Sequence, residues 1–354
     1  LKRIGYLFEQ AFSRDNLYQA YLDARKGKRN KRACFQFELA LGLNLENIYQ
    51  ELWSGRYRPK PYFQFTVYEP KERTIYAPAF RDVVVQHAIY RIIYPIFDKT
   101  FINTSFACRI GYGSHKASEA AQQMLRQCQP DDYTLKLDLR KFFYRIDRAI
   151  LEKQIRRKLK DERLIRIMIQ FAEYPEPVGI PIGNLLSQIY ALIYLNPLDQ
   201  YIKRELKIKR YLRYVDDFIL IGLSRDQCLD YRQRIIQWLD AELNMTLSKS
   251  SIQKVKTGLN FVGFRTWQSK KFIRKHSLYK FKQSVKKGKL ESCISILGHA
   301  KQTASLNHLL NYAKETRNDI YRSLPQTYHR LHNHRITSAG IRERRQADNR
   351  AGHA

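Results

Sequence analysis

The sequence predicts a mixed α/β protein of the α+β kind, and three observations carry that expectation. Short alternating strands are interleaved with longer helical stretches between Phe63 and Thr266. Basic helical segments flank this region on both sides. No uninterrupted apolar run reaches the roughly 18–20 residues that a bilayer-spanning helix needs. The 354 residues suffice for two or three subdomains sharing a core, and 44% apolar content sets the chain apart from disordered tails.

The elements follow in order. Asp15 or Asn16 is placed to cap a helix that carries Leu17, Ala20, Tyr21 and Ala24 on one face. A basic cluster, Arg25-Lys26-Gly27-Lys28-Arg29-Asn30-Lys31-Arg32, follows, and reads as a solvated loop or as a nucleic-acid contact. Leu39 to Leu52 is a second amphipathic helix, ended by Ser54-Gly55. Phe63 to Tyr68 alternates as a strand, Glu69 to Glu72 turns, and Arg73 to Ala77 returns. Ala79 to Phe97 is helical and should break at Pro95; Ser114 to about Cys128 is helical after a glycine-bearing loop. Tyr133 to Leu139 is a strand, Arg148 to Leu159 and Glu162 to Ala172 are helices, and a long apolar helix runs from about Leu185 to Leu206. Tyr211 to Leu223 reads as a hairpin, followed by a helix from Arg225 to Leu243 and strands near 246–252 and 259–266. Beyond Gln268 the chain reads as basic and helical, and its last stretch, lacking apolar periodicity, as disordered.

Charge is the strongest compositional fact. Sixty-four Lys and Arg against thirty-three Asp and Glu leave +31. A compact state carrying that excess repels itself unless a polyanion neutralises it, and nucleic acid is the polyanion expected. Twenty-four Tyr and eighteen Phe argue for a packed core and stacking platforms, unlike a merely basic packaging protein. Cys34, Cys108, Cys128, Cys228 and Cys293 are scattered and never form a CxxC pair, so neither a disulfide framework nor a zinc cluster is expected. The N-terminus lacks the apolar region of an export signal, which makes a location inside the cell the default.

The sharpest chemical signal is Tyr214-Val215-Asp216-Asp217 between two apolar strands. Two adjacent carboxylates among apolar residues are unfavourable without cations. Neighbouring strand residues face opposite sides, so a turn is required to bring both to one site. Asp138 sits in a second alternating strand, Leu135 to Leu139. Hard oxygen ligands of this kind suit magnesium, which keeps water and substrate phosphate in its shell. Two such ions about 4 Å apart activate a hydroxyl and steady a leaving phosphate.

With these residues in place, Asp138-Leu139-Arg140-Lys141-Phe142-Phe143 resembles the first catalytic motif of reverse transcriptases, and Tyr214-Val215-Asp216-Asp217 resembles their YxDD box. The resemblance runs from about Phe63 to Trp267. It implies a right-hand polymerase: N-terminal helices and fingers over 1–105, a ferredoxin-like palm over 106–267, a helical basic thumb over 268–335 and a basic tail over 336–354. It implies an RNA-directed DNA polymerase with catalytic Asp138, Asp216 and Asp217, two Mg2+ (or Mn2+) held by these and the Leu139 carbonyl, and deoxynucleoside triphosphate substrates. Lys71, Arg73, Arg81, Ile182, Gly183, Gln188 and Lys249 are implied to face the nucleotide, and Phe143 to gate its sugar. Phe261 and Gly263 are implied in a primer-grip hairpin, and Arg25, Lys26, Lys28, Arg29, Lys31 and Arg32 read as nucleic-acid contacts. Phe106-Ala107-Cys108-Arg109 with Gly111, Gly113 and His115 is similar to the loop and helix before the palm.

One segment discriminates within the family. Gly179-Ile180-Pro181-Ile182-Gly183-Asn184-Leu185-Leu186-Ser187-Gln188 has Ile182 where most reverse transcriptases have Gln, and an aliphatic chain neither donates nor accepts a hydrogen bond. This form resembles the enzymes of diversity-generating retroelements, related to group II intron and retron enzymes. The resemblance implies complementary DNA that is mutated opposite adenines, copied from a structured template-repeat RNA that can supply the primer. It also implies a pentameric basic accessory protein, no membrane, and a prokaryotic or phage-encoded cytoplasmic setting. Two readings stay open beside it: a retron, group II intron-like or phage-defence enzyme of ordinary fidelity, and an inactive basic RNA-binding scaffold. His276, His299, His308, His329, His332 and His334 show no metal-ligand spacing and are expected at the surface or against RNA.

Overall fold

The computed structural model describes residues 3–68 and 72–332. Four helices open the chain: α1 (Phe8–Ala11), α2 (Arg14–Ala24), α3 (Arg32–Glu38) and α4 (Leu41–Trp53). The cap of α2 is Ser13, whose hydroxyl accepts from the Asn16 N–H at 3.2 Å, and not Asp15 or Asn16. Asp15 lies instead in the first turn, where its charge complements the helix dipole. Leu17, Ala20, Tyr21 and Ala24 are buried, as their spacing predicts. Arg32 belongs to α3, so the basic cluster is a turn only as far as Lys31.

Strands β1 (Phe63–Val67) and β2 (Arg73–Ala77) pair antiparallel, from Phe63↔Ala77 to Val67↔Arg73. Helix α5 (Phe80–Asp98) runs through Pro95 where a break was expected. Proline there removes only the one bond to Arg91, since three more residues complete the last turn, and Pro95 is exposed. Then come α6 (Ser114–Arg126), β3 (Tyr133–Leu139), α7 (Phe142–Arg145), α8 (Arg148–Arg156), α9 (Glu162–Ala172) and α10 (Leu185–Gln200). A π-helical turn, Tyr201–Glu205, prolongs α10. Strands β4 (Tyr211–Tyr214) and β5 (Asp217–Leu223) form the expected hairpin. Helix α11 (Arg225–Leu243) begins in a reciprocal Ser224–Gln227 capping box and ends at left-handed Asn244. Strand β6 (Leu247–Lys254) follows.

The central sheet has the order β4-β5-β3-β6. In chain order, helices connect β3 to β4 and β5 to β6, so the topology is β-α-β-β-α-β with interleaved strands, the ferredoxin-like plan. Helix α10 is buried almost all round, which explains why it reads as apolar without a polar face.

The remaining elements are β7 (Leu259–Phe261), β8 (Phe264–Thr266), β9 (Lys271–Ile273), α12 (Lys275–Lys286), α13 (Leu290–Ala300), α14 (Ser305–Thr316) and α15 (Asn318–Arg322). The strand expected near 259–266 is a hairpin, because Val262 and Gly263 both take positive φ (43° and 89°) and reverse the chain in two residues. Strand β9 falls in a stretch expected to be helical throughout. Its Lys271 is buried with Nζ 5.2 Å from the Phe264 ring centroid, so a lysine serves as a core residue there. His299 stacks on Phe264 at 4.1 Å, and His332 is buried between Tyr321 and Asn311. Neither is the surface histidine expected; His276 and His308 are exposed.

By packing, the chain forms two compact units: residues 1–111 with 135–252, and residues 112–134 with 253–354. The first holds the central helices and most of the four-stranded sheet. The core of the second joins Phe264, Phe281, Leu297 and Leu309. Among the described residues no helix is long and apolar enough to cross a membrane.

Candidate active site

The β4–β5 hairpin turns over Val215 and Asp216, with Val215 at φ 55°. A β-branched residue in the left-handed region is strained, and must be held by its surroundings. Arg213 supplies the hold. Its guanidinium donates to the Val215 carbonyl at 3.0 Å and to both Asp199 oxygens, at 2.8 and 2.6 Å. Tyr211 adds a hydroxyl to Asp199 at 2.7 Å. Both members of the ion pair are 0% exposed, so neither charge tolerates loss of the other. On its other side β4 is bridged by residues 104–106: the Arg213 N–H donates to Thr104, and the Phe106 N–H to the Arg213 carbonyl, each at 2.9 Å. Sequence reasoning missed this brace. An Arg on an apolar strand together with an Asp in an apolar helix was the signal for it.

The carboxylates come together from two segments. The Leu139 N–H donates to the Asp216 carbonyl at 3.2 Å, which brings the end of β3 against the turn. Asp217 pairs with Lys136 of β3 at 2.7 Å, while its other oxygen, Oδ1, is buried without a hydrogen-bond partner. Burial pushes the Asp217 carboxyl up to about 6; Lys136 opposes this, and the neighbouring charges of Asp138 and Asp216 add to it. Ser248 of β6 hydrogen-bonds the Asp138 carboxylate, a contact the sequence reading did not foresee. Among the described residues no three His, Cys, Asp or Glu side chains converge tightly enough to hold an ion by themselves. A buried, unpaired carboxylate oxygen and mutually repelling acids fit a site that a cation neutralises.

Around the carboxylates, Lys141 is left-handed and starts the short α7, which presents Phe143 half-exposed with its edge to buried Phe142. The Phe143 carbonyl accepts from the Ile180 N–H at 2.9 Å, tying α7 to the 179–188 loop. The Ile182 carbonyl accepts from Tyr76 of β2 at 2.7 Å. Gly183 has φ 116°, and a Cβ there would lie 2.9 Å from the Ile75 side chain and 3.0 Å from the Tyr76 carbonyl, so glycine is required. The loop's interior is held by buried Gln86. Its amide donates to Asn184 at 3.0 Å and accepts from the Leu185 N–H at 3.0 Å, capping α10. Asn184 also donates to Tyr62 and to the Phe171 carbonyl, and Ser187 to the Pro181 carbonyl. Asn184 and Ser187 are therefore braces, while Ile182 is half-buried and Gln188 exposed.

Other expected residues fall as follows. Arg73 opens β2 and is exposed. Lys71 lies outside the described residues. Arg81 was expected at the nucleotide, but its guanidinium binds Glu51 and lies 5.2 Å over Tyr57, which makes it a brace at the start of α5. Lys249 is exposed on β6, and strand alternation turns it to the face opposite Ser248. Arg109 is buried and pairs with Asp98 at 2.7 Å. Phe261 is buried in β7, and a Cβ at Gly263 would strike the His299 ring at 2.7 Å. Arg25 pairs with Glu38 and Lys26 with Asp23; Lys28, Arg29, Lys31 and Arg32 are exposed.

Residues 64–266 match the family described as reverse transcriptase (RNA-dependent DNA polymerase). Protein YkfC of Escherichia coli (strain K12) is 27% identical, over 68% of this chain and 74% of that protein. Group II intron-encoded protein LtrA of Lactococcus lactis subsp. cremoris is 22% identical over 72% of this chain, which spans about half that relative's length (54%). Among solved structures, the telomerase of Candida albicans with a TWJ fragment of telomeric RNA is 13% identical at a TM-score of 0.47, covering 75% of this chain and 55% of that one. That likeness is too distant to build on. The family match spans more than half of the sequence and includes all three aspartates: the chain belongs to the reverse transcriptases and is an RNA-directed DNA polymerase.

Proposed function

We propose that the enzyme copies a structured template RNA into DNA with poor fidelity opposite adenine, as the polymerase of a diversity-generating retroelement. The observation that carries this reading is Ile182. Its backbone is anchored through Tyr76 and its neighbour must be glycine, so the loop is held in place while the side chain offers the incoming nucleotide no hydrogen bond. Discrimination between nucleotides rests on differential transition-state contacts, and a missing polar brace loosens it.

In this reading Asp138 and Asp216, with the Leu139 carbonyl, hold two Mg2+ (or Mn2+), and Asp217 contributes less directly. Bound there, the ions would activate the primer 3′-hydroxyl and steady the departing pyrophosphate. Lys136 holds Asp217, and Arg213 holds the turn that carries Asp216. Phe143 lies under the sugar and excludes a 2′-hydroxyl. Lys71 and Arg73 receive the triphosphate, beside Gly183 and Gln188, whereas Lys249, on the far face of β6 from Ser248, has no part in this. Phe261 and Gly263 belong to the primer grip. Fingers occupy 1–105, the palm 106–267 and the thumb 268–335. A pentameric basic accessory protein is the expected partner, in a prokaryotic or phage setting.

The similarity to a group II intron-encoded protein favours a second reading, an intron-type enzyme of ordinary fidelity. Sequencing the complementary DNA made in vitro from a defined RNA separates the two. Errors concentrated opposite adenine, reduced by Ile182→Gln, support the first. A flat error spectrum that the substitution leaves unchanged supports the second.

A further inference from the structure

The basic turn between α2 and α3 has no part in the chemistry above, yet beside it on the same compact unit lies a cleft of about 540 Å3. Its lining includes Asn16, Lys26, His87, Tyr90, Arg91 and Tyr94. Clefts of roughly 300–1,000 Å3 suit small ring systems. Tyr90 and Tyr94 stack on each other at 5.0 Å, and the Tyr94 hydroxyl accepts from the Ile110 N–H at 2.8 Å, which fixes that ring. The His87 imidazole and the Tyr90 hydroxyl have no hydrogen-bond partner among the described residues.

The charge around the cleft is lopsided. Lys26 and Arg91 share one carboxylate, Asp23, at 2.7 and 2.8 Å, and Lys28 also bears on His87. Burial, reinforced by these cations, holds the His87 imidazole down to about 4. The ring is therefore neutral near pH 7, with one nitrogen donating and the other accepting. Arg29, Lys31 and Arg32, which follow Lys28 in the chain, are exposed as well. Ring faces, two free polar groups and excess cations form the set that binds a nucleotide of single-stranded nucleic acid. The base stacks, its edge finds hydrogen bonds, and its phosphate meets ammonium and guanidinium groups.

We propose that this cleft accepts one unstacked base of a single-stranded RNA, with the adjoining phosphates over Lys26, Lys28 and Arg91. The proposal draws on the polymerase reading only for the identity of the polyanion. It would anchor the RNA at a point outside the carboxylate site.

The test uses the full chain with a short oligouridylate and a strand of equal length made of abasic residues. Tyr90→Leu and His87→Leu should each weaken oligouridylate binding roughly ten-fold, within the range of a lost base–aromatic stack, and leave the abasic strand unaffected. Lys26→Gln and Lys28→Gln should weaken both strands and flatten the salt dependence. A 4-thiouridine strand, irradiated on the unaltered protein, should crosslink to Tyr90 or His87, a readout independent of how the variants fold. Ring variants that bind oligouridylate like the parent, or crosslinks confined to other regions, would overturn the proposal. Competition by uridine monophosphate at equal base concentration would overturn the assignment to a strand. Should the protein make no DNA yet crosslink as stated, the polymerase reading falls and this one stands.

Discussion

The β4–β5 hairpin and the 179–188 loop lie in the same compact unit but are held by different physics. The hairpin rests on a buried ion pair, Arg213 with Asp199, that reaches the strained Val215 directly. The loop rests on neutral amides and carbonyls: Gln86 donates to the Asn184 side chain and accepts from the Leu185 N–H. Buried charge is unforgiving, because removing one partner leaves the other uncompensated in low dielectric. Neutral amides lose less when broken. The difference fits the tasks proposed for them: aspartates that would hold cations must keep their positions, whereas a loop proposed to flank the nucleotide can change its side chains provided its backbone keeps its path.

That contrast can be broken in graded steps. Arg213→Met should be the most damaging, at about 3–5 kcal/mol of stability with loss of synthesis. Adding Asp199→Leu should restore much of the stability in denaturant melts, without restoring activity, because the Val215 carbonyl still lacks its donor. Recovery of both would show that the pair serves stability alone. Gln86→Leu should cost about 1–3 kcal/mol by stranding Asn184 and the Leu185 N–H. Gly183→Ala should cost about 1–3 kcal/mol through its positive φ and the contacts with Ile75 and Tyr76. It should also raise KM for nucleotides more than it lowers kcat. Ile182→Gln, on a half-exposed side chain, should change stability by no more than about 0.5 kcal/mol. Its effect belongs in the error spectrum. A large stability loss there would contradict the view that only the loop's backbone is constrained.

What could be read from the sequence was what local pattern encodes. The YxDD hairpin, the β3 aspartate and the α11 boundaries all depend on neighbours within a few residues. The braces did not show, because Arg213 with Asp199 and Gln86 with Asn184 are pairings across the fold, 14 and 98 residues apart. The Ser248 contact to Asp138, 110 residues away, was hidden for the same reason. The pairing of Arg81 with Glu51, 30 residues away, is of the same kind. Strand β9 escaped because three residues carry too little periodicity, and its buried lysine inverts the usual polarity. The packing of His299 on Phe264, for which Gly263 leaves room, is likewise a contact that local pattern does not encode.

The claim on which everything else depends is that Asp138 and Asp216 serve DNA synthesis on RNA. Primer extension on an RNA template with deoxynucleotides and magnesium tests it directly. The unaltered chain should extend the primer, and Asp138→Ala and Asp216→Ala should each abolish extension while binding the same RNA with near-unchanged affinity. Extension retained by either variant would contradict the assignment.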